Sequence, residues 1–130
     1  MDCPDCGAPM VAFDVPAEYR EYVPDASAQA ALCPSCLALA SAESAPAEPR
    51  FDRVSDAFPT NEEAAVPLAV AVGLLDSLAL HRPALEELLG AAERAGVDPL
   101  LVLDRLHAQG GVQPGFDLDR RRHQLQQLLD

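Results

Sequence analysis

The densest apolar stretch of the chain runs from Ala64 to Leu75, where Ala-Ala-Val-Pro-Leu-Ala-Val-Ala-Val-Gly-Leu-Leu leaves no polar face at any helical angle. A helix of this kind needs cover on several sides, so it is expected at the centre of the fold. Thr60-Asn61-Glu62-Glu63 ahead of it has capping-box spacing, with the Thr60 hydroxyl placed to accept from the Glu63 amide. The helix is expected to reach about Leu80. A bilayer span would need roughly 20 clean apolar residues, and Pro67, Gly73, Asp76 and Ser77 interrupt this run.

Three amphipathic stretches follow. Pro83 opens a helix whose apolar stripe is Leu85, Leu88, Leu89 and Ala92, with Glu86, Glu87, Glu93 and Arg94 facing outward and Gly96 as its stop. Asp98-Pro99 is a cap followed by a first helical position for a third helix carrying Leu100, Leu103 and Leu106, which Gly110-Gly111 ends. Asp117 or Asp119 caps a last helix with Leu118, Leu125, Leu128 and Leu129 on one stripe. Four helices with such stripes predict a small four-helix bundle. Residues 85–106 have the outline of a helix-turn-helix, but a reading helix presents polar or basic residues. This one offers Leu100, Leu101, Val102, Leu103 and Asp104, so a plain helical hairpin is expected.

The first forty residues follow another rhythm. Pro9 to Val15 is rich in strand formers and stops at Pro16; Ala17 to Tyr22 suits a helical turn or loop, and Ala28 to Leu32 suits a partner strand. Residues 41–50 are small, polar and proline-bearing, as linkers are. Phe51, Val54 and Phe58 then anchor the chain to what comes next. The expected organisation is a small α+β metal module over 1–40, a linker over 41–50 and a helical domain over 51–130, mostly α overall. Four phenylalanines, two tyrosines and no tryptophan agree with helices rather than a β-sandwich.

Chemistry enters with the cysteines. All four stand in two couples, Cys3-Pro4-Asp5-Cys6 and Cys33-Pro34-Ser35-Cys36. Two C-x-x-C couples across a loop can bring four thiolates to the corners of a tetrahedron, the preference of Zn²⁺. Proline pre-sets each turn, and Gly7 can take positive φ where the first one closes. At the matching place after the second couple stands Leu37, and Leu37 to Ala42 is helix-friendly. The second couple therefore suits either a zinc ribbon or a helix N-terminus, as in a treble clef. Tyr19 and Tyr22 are available to pack over the site. Rubredoxin-like iron fits less well, because such sites gather aromatics and keep glycine after both couples; a thiol redox pair would need only one couple. A closed four-sulfur site leaves no position for a reacting water, and no nucleophile motif, phosphate loop or carboxylate pair is present, so an enzyme is not expected.

Formal net charge is −12, and every cation apart from histidine is arginine. Acid excess without lysine is the habit of a salt-loving archaeon, where self-repulsion is screened at molar salt over roughly 3 Å. With Cys3 this near the start, no leader is expected ahead of it, and a reducing, cytoplasmic setting follows. Arg120-Arg121-Arg122-His123 is the one basic cluster, read as a helix face neutralised by Asp117, Asp119 and Asp130 rather than as a phosphate-binding edge. His81, His107 and His123 have no partner at ligand spacing.

Cys-Pro-Asp-Cys-Gly-Ala-Pro-Met at the start resembles the first knuckle of small archaeal zinc-ribbon proteins. The whole chain, including Arg53-Val-Ser-Asp-Ala-Phe-Pro59 and Leu74-Leu-Asp-Ser-Leu-Ala-Leu80, resembles a haloarchaeal family of unknown function. That resemblance implies zinc at Cys3, Cys6, Cys33 and Cys36 and no activity. The expectation is a structural-zinc protein acting as an adaptor for another protein. Its alternatives are a nucleic-acid-associated, transcription-related regulator and, behind it, an iron or thiol redox protein. No membrane partner is expected.

Overall fold

Alternation at Val11, Phe13 and Val15 builds the first strand, β1, over Val11–Asp14. In a computed structural model describing residues 1–109 and 111–129, β1 pairs antiparallel with β2, Gln29–Leu32, setting Val11 opposite Leu32 and Phe13 opposite Ala30. A third strand, β3, Leu39–Ser41, pairs antiparallel with β2 and completes a sheet of order β1-β2-β3. The helix allowed for Leu37 to Ala42 is therefore a strand. The reason is local: Leu37 takes φ +64, which no helix start accepts. Its amide and carbonyl neighbours close a turn that feeds extended chain onto the free edge of β2. Ala17–Tyr22 between the first two strands is a 3-10 turn.

The pleat sorts the sheet into two faces. Val11, Phe13, Ala30 and Leu32 join the main core, while Met10, Ala31, Cys3 and Cys33 form a smaller cluster with Ala12 and Ala40. Phe13 lies 5.5 Å from Phe51, whose ring stacks on Phe58 at 5.9 Å. These rings tie 51–58 back to the sheet, whereas the sequence pointed these anchors only toward what comes next, and Val54 is buried with them. Apolar side chains from both sides of residues 41–50 thus share one cluster.

Helix α1 spans Glu62–Leu74. Its cap is Asn61, whose side chain accepts from the Glu63 amide at 3.0 Å, one residue later than the expected Thr60. Asn caps as well as any residue, and this start keeps Ala64 and Ala65 buried. Beyond Leu74 the chain tightens into a 3-10 turn, Leu75–Leu80, with Ser77 off helical values. The stretch Glu62–Leu80 is long and apolar enough to cross a membrane, and most of it is buried inside the protein. The interrupting Pro67 sits within α1 and is buried there.

Helix α2, Arg82–Arg94, buries the predicted Leu85, Leu88, Leu89 and Ala92. Gly96 at φ +94 ends it while the Val97 amide returns to the Ala92 carbonyl. Helix α3, Pro99–Gln109, is capped by Asp98 as expected, its carboxylate accepting from Leu100 and Leu101 amides. Its buried face is Val102, Leu103 and Leu106, leaving Leu100 half-buried and Leu101 exposed. Asp117 caps helix α4, Leu118–Leu129, which buries Leu118 and Leu125. α1 packs chiefly on α2, and α3 on α4. The chain is about half helical. Gly110, Asp130 and the Leu129 side chain, named above as stop, counter-charge and stripe member, lie outside the described residues.

Candidate metal centre

Each cysteine couple sits in the same backbone device. The Cys3 amide donates to the Ala8 carbonyl at 2.8 Å and the Gly7 amide to the Cys3 carbonyl at 2.9 Å. Thirty positions on, the Cys33 amide donates to Ala38 at 2.9 Å and the Leu37 amide to Cys33 at 3.1 Å. Gly7 at φ +82 and Leu37 at φ +64 occupy equivalent left-handed places. Leucine tolerates a conformation costing roughly 1–2 kcal/mol because its side chain is 1% exposed and lies in the main core. Burying a leucine contributes roughly 1.5–3 kcal/mol, which offsets the strain. An isolated bridge between Asp2 and Pro9 and the β2–β3 pairing hold the two turns in place.

These turns bring the sulfurs together. Cys3 Sγ lies 3.6 Å from Cys36 Sγ, Cys6 Sγ lies 3.4 Å from Cys33 Sγ, and all four sulfurs fall within 4.8 Å of one another. A tetrahedron with metal–sulfur distances of about 2.3 Å has edges of about 3.8 Å, so the spacing matches a four-sulfur metal site. It is far too long for a disulfide, in which sulfurs stand about 2.05 Å apart. Main-chain amides aim at the sulfurs as well: those of Ser35 and Cys36 approach Cys33 Sγ at 3.4 and 3.3 Å.

The four thiols are not equivalent. Burial pushes Cys3 up, but the Cys6 and Asp5 amides and the Cys36 and Cys33 thiols donate to it and bring it down to about 7. Burial drives Cys36 up to about 12, opposed by the Ala38 amide and reinforced by hydrogen bonding to Cys3, Cys33 and Cys6. Burial also raises Cys33. Cys3 is thus eased toward the thiolate while Cys33 and Cys36 are pushed the other way, and a cation at the centre would favour the ionised form of every sulfur around it. Cys3 and Cys33 are buried, Cys36 is half-buried and Cys6 exposed, so the centre opens on one side.

That side meets a cleft of about 460 Å³ between the cysteine turns and the helices, bordered by Cys6, Cys36, Asp5, Asp76 and Phe116. The Gln113 amide donates to the Ser35 carbonyl at 2.6 Å and pins the α3–α4 connection against the second turn. Nothing in Val112-Gln-Pro-Gly-Phe116 signals that contact; Pro114 and Gly115 announce only a turn.

The remaining candidates fall elsewhere. Tyr19 and Tyr22 pack on the main core rather than over the sulfurs, and the Tyr22 hydroxyl donates to Glu87 on α2. Among the described residues no histidine or carboxylate joins the four cysteines as a possible ligand. His123 Nδ1 lies 2.8 Å from the Asp119 carbonyl. Arg122 pairs with Asp104 at 2.8 Å, and Arg121 donates to Gln124 at 2.9 Å and to the Asp76 carbonyl at 3.3 Å. The neutralising acid for Arg122 is therefore on α3, a partner that spacing along α4 could not reveal.

No curated protein and no solved structure matches this chain. A family profile does match, over residues 2–129, nearly the whole of its length. The chain belongs to that family, described as a family of unknown function, DUF6276.

Proposed function

We propose that Cys3, Cys6, Cys33 and Cys36 bind one zinc ion and that the chain is a zinc-ribbon protein built to present this centre, on a bundle of helices, to another protein. The observation that carries the reading is the convergence of four sulfurs within 4.8 Å on two matched turns. Four sulfurs occupy every corner of the tetrahedron, which suits a structural role and leaves no open position for catalysis. The shell supports zinc over rubredoxin-like iron: the cluster around the cysteines is Met10, Ala31 and further alanines, with no aromatic member. A net charge of −12 without lysine supports a haloarchaeal cytoplasm as its setting, where thiolates also stay reduced. Arg121 and Arg122 are committed to contacts within the fold, which favours a protein partner over nucleic acid.

Native mass spectrometry of protein purified in high KCl tests the metal reading. One zinc per chain is expected, lost on Cys33→Ser. Protein carrying no stoichiometric zinc, or iron in its place, would overturn it.

A further inference from the structure

The open side of the metal centre has a charge of its own. Cys6 and Cys36, the two less buried sulfurs, border the cleft together with Asp5 and Asp76, and among the described residues no arginine or histidine lines it. Asp5 and Asp76 are both exposed and neither carboxylate has an ion-pair partner among the described residues. Arg121 approaches only the Asp76 main-chain carbonyl. A divalent ion with four thiolates is a dianion, so with zinc bound this cleft would carry anionic sulfur on one wall, with the carboxylates of Asp5 and Asp76 also lining it. Its apolar side is supplied by the half-buried Leu39 and Phe116.

We propose that this cleft is the docking site for an arginine-bearing segment of a partner protein, a reading that rests on the zinc assignment above. A guanidinium suits the cleft better than any other common group. Its planar fork of donors can meet a carboxylate and a thiolate together, and its face can stack on an aromatic ring such as Phe116. Lysine offers a point charge without the fork or the face. Both carboxylates are exposed, so in molar salt, where the Debye length is about 3 Å, the pairing acts only at hydrogen-bond range.

The test is a fluorescence-anisotropy titration of zinc-loaded, full-length protein with a short labelled peptide of alternating glycine and arginine, in KCl that keeps the chain folded. Glutamate and lysine counterparts of the peptide serve as comparisons. The arginine peptide should bind, the glutamate one should not, and the lysine one should bind several-fold more weakly. Asp76→Asn, on the helical side of the cleft, should weaken arginine binding about tenfold, the cost of a charge-assisted hydrogen bond, at unchanged zinc content. Asp5→Asn should weaken arginine binding too, with its zinc content measured alongside because Asp5 lies within the first cysteine turn. Zinc-loaded protein that binds arginine and glutamate peptides equally, or that ignores both substitutions, would overturn the docking site and leave the zinc assignment standing. Protein that holds no zinc would overturn both.

Discussion

Leu37 shows how a single residue can run against its local preference. At φ +64 a side chain is strained, yet this one is buried at 1% exposure. Two substitutions separate the effects. Leu37→Ala loses the buried side chain and keeps the strain, so it should destabilise by roughly 2–5 kcal/mol. Leu37→Gly loses the same packing but relieves the left-handed strain, and should be about 1 kcal/mol more stable than the alanine variant. Denaturant titration in high salt measures the difference; a glycine variant less stable than the alanine one would refute the argument. The same residue marks the limit of reading the site from sequence. The pairing of the cysteines into two turns was legible because a two-residue spacer is a local device that needs only adjacent residues. Whether ribbon or treble clef followed was not, since Leu37 reads as evidence against a symmetric turn. Only the core it fills, supplied by distant elements, explains its tolerance.

Elements meet at places that glycine decides. A Cβ on Gly73 of α1 would lie 2.4 Å from the Leu39 Cβ of β3, whereas one on Gly90 of α2 would meet only the far end of Arg94 at 3.3 Å. Both glycines are helical, so alanine gains up to about 1 kcal/mol of propensity at either. At Gly90 that gain should survive and raise stability. At Gly73 overpacking costs roughly 1–3 kcal/mol, so Gly73→Ala should destabilise by about 1–2 kcal/mol in thermal unfolding. Because the clash is with Leu39 Cβ itself, Leu39→Ala should not rescue it; rescue would show that the contact is misjudged. A second contact, from the Tyr22 hydroxyl to Glu87, joins the 3-10 turn to α2. That hydrogen bond, with burial next, holds the Tyr22 phenol well above its ordinary value of 10. A group whose folded pKa is raised stabilises below its unfolded pKa and loses that contribution as pH rises through the folded one. The stability gap between the protein and Tyr22→Phe should therefore be full below about pH 10 and close at higher pH; a gap that widens there would contradict the bond. The helices were legible because their periodicity is strong, as at Leu85, Leu88 and Leu89. The strand β3 was not, because alanine and leucine between Leu37 and Ala42 favour a helix unless the free edge of β2 is already there to pair.

At the scale of the whole molecule, two forces act on one core. Net charge of −12 strains the compact state in dilute buffer, so the helical circular-dichroism signal should weaken between molar and millimolar KCl; an unchanged spectrum would remove the halophilic reading. Metal removal probes how far the cysteine turns govern the rest. The sheet that carries them places Phe13, Ala30 and Leu32 in the same cluster as Val70, Leu85 and Leu103. Zinc ligation in small sites contributes roughly 10–16 kcal/mol, which rivals the whole stability of a typical domain at roughly 5–15 kcal/mol. If the sheet loosens when no metal is bound, α1 loses its contacts with β2 and β3 and keeps only its cover from α2, and so apolar a helix cannot stay partly exposed. Chelation should therefore lower the melting temperature of the helical signal itself, most strongly at low salt, where repulsion adds to the loss. Helices that melt at the same temperature with and without zinc would show that the four sulfurs stabilise only their own turns.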